Sequence, residues 1–135
     1  VEQYGEYFVL SRDLKVLERL TDKPEGLLFL STSPTDVCIV GRTAVFADQR
    51  VANTIVRLLD ALDGSGILDK IVSVDMTNRF EIYFWYEDRF YVYMGTVDDA
   101  EIKTAFLVKV IEKLGNNRGN IDVSDTREAS FSIFE

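Results

Sequence analysis

At 135 residues, 47% of them hydrophobic and 28% charged, the chain carries enough apolar material for one buried core and suits a single domain over 1–135. The formal net charge is -8 and the 15 basic residues are scattered rather than gathered in a stripe, which argues against nucleic acid and an anionic membrane surface as partners. With no histidine and one cysteine, the chain cannot form an internal disulfide, a Ser-His-Asp or Cys-His arrangement, or an ordinary zinc site.

The chain starts at Val1 rather than Met and shows no signal peptide. No apolar run approaches the ~20 residues that span a bilayer. It reads as a soluble piece of a longer protein. Tyr7 to Leu10 predict a first strand, Ser11 to Asp13 a polar turn, and Leu14, Val16 and Leu20 a second strand. Thr21 to Gly26, with Pro24, breaks the pattern; Leu27 to Leu30 is a short apolar piece, and Ser31 to Asp36, with Pro34, a loop. Val37 to Val40 predicts a short buried strand closed by Gly41, with Cys38 as a small buried hydrophobe.

From Asp48 to Leu62 the period becomes helical, with Val51, Ile55, Leu58, Leu59 and Leu62 on one face, Asp48 as N-cap and a stop at Asp63 to Gly66. A three-strand meander follows. Val72, Val74 and Met76 alternate with polar residues; Phe80, Ile82 and Phe84 share a face, as do Phe90, Val92 and Met94. The opposite face carries Tyr83, Trp85, Tyr91 and Tyr93, an amphipathic surface with ring area and wet hydroxyls. After Gly95, a helix capped by Thr96 or Asp98 presents Ile102, Phe106, Val110 and Leu114, flanked by Leu107 and Ile111, to the core. A polar loop (GNNRGN) leads to a strand at Ile121 and Val123. A turn over Ser124 to Glu128 then precedes a last strand in which Ala129, Phe131 and Ile133 alternate with Ser130 and Ser132. The expected fold class is α+β: one domain, a mixed, mostly antiparallel sheet, and two main helices.

Catalytic signatures are missing. There is no CxxC, no GxGxxG opening a helix after a strand, and no GxxxxGK[ST], and no cofactor or metal is expected. The carboxylates Asp48, Asp75, Glu81, Asp98, Asp99 and Asp122 are explained by helix caps, first helical turns and strand-end turns. The aromatic face reads either as buried under the N-terminal hairpin or loops, or as a protein-contact patch. The other feature with a means of action is the short strand at the end of the chain. At a sheet edge its unpaired backbone groups would pair with another polypeptide.

The pattern VSVDMTN, the hairpin FEIYFWYEDRFYVYMG, the helix containing Lys103, and the closing GNIDVS together resemble the FtsQ/DivIB family of bacterial cell-division proteins. The matching part is the distal extracytoplasmic β-domain, without its POTRA module or transmembrane helix, and GEYFVLSRDLKVLERL resembles the opening of that domain. Leu14 stands where the family hairpin commonly has a turn glycine, and DVCIVG lacks a proline often found there. The resemblance implies a non-enzymatic divisome scaffold outside the cytoplasmic membrane at the septum, whose parent is a single-pass membrane protein. It also implies FtsB/DivIC-like and FtsL-like partners, contacted through the last helix and the terminal strand. Here those contacts would fall on the exposed side of Lys103 to Leu114, on Ile121, Asp122, Val123 and Ser124, and on Ala129, Ser130, Phe131, Ser132 and Ile133. The alternative is a small-ligand-binding or sensor domain using the aromatic sheet face.

Overall fold

The computed structural model describes residues 1–32 and 35–134, with the backbone alone at 35–37. The first apolar segments form a small antiparallel sheet of β1 (Glu2–Gln3), β2 (Glu6–Leu10) and β3 (Val16–Leu20), in the order β1-β2-β3. The expected hairpin is therefore present. Leu14, at its turn, adopts φ 66° while being 3% exposed. Its N–H donates to the Ser11 carbonyl (2.9 Å), and its own carbonyl accepts from the Ala44 N–H (2.8 Å). A left-handed leucine is strained; burial and these two bonds hold it there.

β4 (Phe29–Thr32) joins the main sheet, while β5 (Thr35–Val37) and β6 (Val45–Phe46) pair with each other. Strand thus occupies much of the predicted Ser31–Asp36 loop, of which 33–34 lie outside the described residues. The predicted strand Val37–Val40 is not formed: Cys38 is half-buried, Ile39 and Val40 are exposed, and neither Cys38 nor Ile39 is in a strand. Ile39 and Val40 follow a two-stranded ribbon that stands outside the main sheet and are left at the surface, whereas Cys38 packs against the core.

Next come α1 (Gln49–Gly64), a short 3-10 turn (Leu68–Lys70), β7 (Ile71–Met76), β8 (Ile82–Tyr86), β9 (Phe90–Gly95), α2 (Ala100–Leu114), β10 (Gly119–Asp125) and β11 (Glu128–Ile133). Asp48 caps α1, its Oδ1 accepting from the Arg50 N–H at 3.0 Å. The main sheet has the order β11-β10-β9-β8-β7-β4. β4–β7 and β9–β10 are parallel; β7–β8, β8–β9 and β10–β11 are antiparallel. Hence β4, β7, β9 and β10 all run one way. The two parallel steps, through α1 and through α2, cross the sheet in the same direction. With one crossover hand, both helices must then fall on one face and leave the other without a helical layer.

Packing follows that rule. Val74, Met76, Ile82, Phe84, Phe90, Val92, Met94, Ile121 and Val123 are sealed on the helix side, with Ile55, Leu58, Leu62 and Leu107 above them. Several apolar positions depart from the expected alternation. A bulge between Ile71 and Ser73, opposite Tyr86 and Trp85, turns Ile71 inward and Val72 out to solvent. Phe80 lies in the turn before β8 and is 55% exposed, its ring under the Arg79 guanidinium at 4.1 Å. Neither Thr96 nor Asp98 is the N-cap of α2. Asp99 occupies that place at φ 57° without a side-chain cap bond, while Thr96 Oγ1 accepts from the Asp98 N–H.

The inward stripe of α2 is Ala100, Lys103, Thr104, Leu107 and Ile111, and Ile102 is 49% exposed. Two polar residues set this rotation. Thr104 Oγ1 accepts from Ser65 Oγ at 2.8 Å, and Lys103 Nζ donates to the Thr96 carbonyl at 2.9 Å. A purely apolar pattern cannot anticipate either bond. No helix among the described residues is long and apolar enough to cross a membrane.

Candidate functional site

β11 pairs with β10 on one side and forms one end of the six-stranded order. The direction of its backbone groups follows from the ladder. The Gly119 N–H reaches the Arg89 carbonyl on the β9 side (3.0 Å). On β10, Gly119 and Ile121 therefore point their N–H and C=O at β9, and Asn120 and Asp122 point theirs at β11. Asn120 faces Ser132 and Asp122 faces Ser130. Ser130 and Ser132 thus close the ladder inward, in keeping with the Phe134 N–H reaching the Arg118 carbonyl (3.3 Å). Ala129, Phe131 and Ile133 turn their N–H and C=O to the open edge. The strand reads EASFSI, with none of the Lys, Arg or Pro that commonly blunt a free edge.

Above this edge lies one flank of α2. Thr104 marks the side that meets α1. At 100° per residue, Phe106 and Val110 fall on the flank away from α1, toward the β11 end of the sheet, and Ile102 lies above them on the outer face. Ile102 is exposed; Phe106 is half-buried but is not among the side chains packed on the core. Below them Phe131 meets the sealed Phe90 ring edge-on at 6.3 Å. An incoming strand would find main-chain partners at Ala129, Phe131 and Ile133, with apolar side chains overhead.

Besides Ser130 and Ser132, which bond inward to β10, five expected contact residues, Lys103, Ile121, Asp122, Val123 and Ser124, take other roles. Lys103 is 3% exposed and its ammonium is committed to Thr96, so it belongs to the interior and not to the exposed side of α2. Burial lowers its pKa, an effect opposed by Asp98 and Asp99. Ile121 and Val123 are sealed in the core and hold the edge in place without reaching its surface. Ser124 donates both its N–H (2.9 Å) and its hydroxyl (2.6 Å) to Asp122 Oδ1 on the helix-free face. Gly119 was not anticipated. A Cβ there would lie 2.1 Å from the Ser132 carbonyl oxygen and 2.7 Å from the Phe131 ring, so its absence permits β11 to close on β10.

The helix-free face bears the predicted aromatics as a connected row. Tyr83 stacks on Tyr91 (centroids 5.1 Å, 11° between planes), Tyr93 meets Tyr83 at 4.7 Å, Trp85 meets Tyr91 at 5.0 Å, and Phe134 closes on Trp85 at 5.9 Å. The four rings predicted from the sequence are half-buried, largely by one another. The N-terminal hairpin is engaged elsewhere, against Phe29 of β4, where Tyr7 meets it at 6.4 Å. A cavity of about 240 Å³ lies there, lined by Tyr7, Val9, Leu27, Leu28, Phe29 and Leu59 among others. That cavity is not at the aromatic face.

Asp75 and Asp122 share a face but are separated by β8 and β9. That places their backbones roughly 14 Å apart, beyond the separation a glycosidase pair uses. Each accepts from a nearby N–H, Thr77 for Asp75 and Ser124 for Asp122. No protein family matches the chain, and no curated protein matches its sequence.

Proposed function

We propose that this domain is a non-enzymatic scaffold of the bacterial divisome, acting as an FtsQ/DivIB-like extracytoplasmic domain at the septum with its parent anchored in the membrane. FtsB/DivIC-like and FtsL-like proteins are the partners. An extended partner segment adds to β11 as a seventh strand. The observation that carries this reading is the unblunted edge, where Ala129, Phe131 and Ile133 present alternate N–H and C=O groups beneath the apolar flank of α2. Two further points support it: the order of motifs that resembles the family, and Leu14 at φ 66° where the family commonly has glycine.

The test is the parity of proline substitutions. Ile133 is 66% exposed, and its N–H faces outward. Ile133→Pro and Ala129→Pro are expected to weaken an FtsB/DivIC-like partner by roughly tenfold or more while leaving the fold intact, because each removes one donor to the partner. Ser130→Pro instead breaks the internal ladder and is expected to cost about 1–3 kcal/mol of domain stability. Calorimetric affinity and thermal melts separate the two classes. Unchanged affinity in both outward variants would exclude strand addition at this edge.

A further inference from the structure

The helix-free face has a chemistry that strand addition at β11 does not use. Two rows of side chains cross it in register. One runs Asp75, Tyr83, Tyr93, Asp122 and the other Ser73, Trp85, Tyr91, Asn120, over β7, β8, β9 and β10. Glu81 lies just ahead of β8, close enough for its charge to act on Tyr93 together with that of Asp122; Asp75 acts likewise on Tyr91, and burial is the larger cause of the raised pKa at both tyrosines. None of these three carboxylates forms an ion pair among the described residues; each accepts only local hydrogen bonds, from Thr77, Asn78 and Ser124. The basic residues near the ends of the rows are already engaged, Arg89 with Glu87 at 2.9 Å and Arg127 with Asp125 at 3.1 Å.

We propose that this face receives an arginine-bearing segment of a protein partner, with guanidinium groups lying against the tyrosine and tryptophan rings and their charge met by Asp75, Glu81 and Asp122. A guanidinium suits it better than an ammonium. Its five N–H donors can span tyrosine hydroxyls and carboxylates together at the ring edges, and it sheds water more readily. The chain's net charge of -8 favours the same encounter at long range. A sugar platform would instead display its rings flat to solvent, whereas Tyr83 and Tyr91 spend their faces on each other. The inference is independent of the β11 reading and stands or falls separately.

The test uses a nine-residue peptide of alternating arginine and serine, its lysine counterpart, and a chitin hexasaccharide, each titrated into the intact chain at low ionic strength. Trp85, the single tryptophan, reports from the face itself. The arginine peptide is expected to shift its emission and to bind roughly threefold or more tighter than the lysine peptide. Asp75→Asn with Asp122→Asn, which preserves shape and local acceptors, is expected to weaken it by roughly tenfold. Glu101→Gln with Glu112→Gln, exposed on α2 across the sheet, should leave it unchanged, as should Ile133→Pro. Equal binding of both peptides with equal loss in both acid pairs would reduce the effect to net charge and overturn the proposal. So would a silent Trp85, or binding of the hexasaccharide alone.

Discussion

Phe90→Ala is expected to lower the unfolding free energy by about 3–5 kcal/mol and the Tm by roughly 10–20 °C. Phe90 is completely sealed at the start of β9, with its backbone opposite Tyr86 on β8 and Gly119 on β10. Its ring meets Tyr86 at 6.2 Å and Phe131 at 6.3 Å. Truncation therefore leaves a void where three strands converge. Collapse into that void is resisted because β8 and β10 bond to β9 on its two sides. The loss should be felt twice, as lower global stability and as a looser β11, since Phe131 loses the ring it rests on. Thermal unfolding measures the first effect and amide exchange in β11 the second. A Tm within a few degrees of the parent would mean that this cluster is not the keystone of the sheet's outer half.

Gly119→Val is expected to displace β11 while the rest of the core persists. The backbone of Gly119 is not left-handed, so the demand for glycine here is one of space rather than of φ. A side chain must drive the Ser132 carbonyl and the Phe131 ring away, and both belong to β11. Overpacking of this kind costs about 1–3 kcal/mol. Its functional cost is larger: a displaced strand no longer offers aligned donors, so partner affinity should fall by roughly tenfold or more. Emission from Trp85 reports the event, because Phe134, immediately after β11, lies against its ring. Gly119→Ala should show the same effects in weaker form. Unaltered stability, emission and partner affinity in both variants would contradict the close approach of β10 and β11.

Alternation located β8, β9, β10 and β11 and the apolar sides of β8 and β9, because each is half-covered and a period of two survives in the residues. It failed at Val72, where a bulge of one residue reverses the faces, and at Phe80, where a turn begins before the apolar residue is spent. On α2 the helix was legible but its rotation was not. Lys103 and Thr104 enter the interior through specific hydrogen bonds, and Ile102 is left outside as a consequence. The position of β11 at an edge was inferred from chain order alone, and the strand order bears it out. Which of its residues face outward depended on the strand register and on the backbone bonds of Gly119 and Phe134, which no side-chain pattern encodes. The ring row on the helix-free face was visible in the residues. That it lacks a helical cover follows from two parallel crossovers stepping the same way, a property of topology rather than of composition.

Residue-resolved amide exchange on the domain, with and without an FtsB/DivIC-like partner, tests the strand-addition account most directly. Alone, Ser130 and Ser132 should be protected while Ala129, Phe131 and Ile133 exchange quickly; with partner bound, those three should slow by orders of magnitude and the serines change little. A tightly bound partner that leaves Ala129, Phe131 and Ile133 exchanging as before would contradict it.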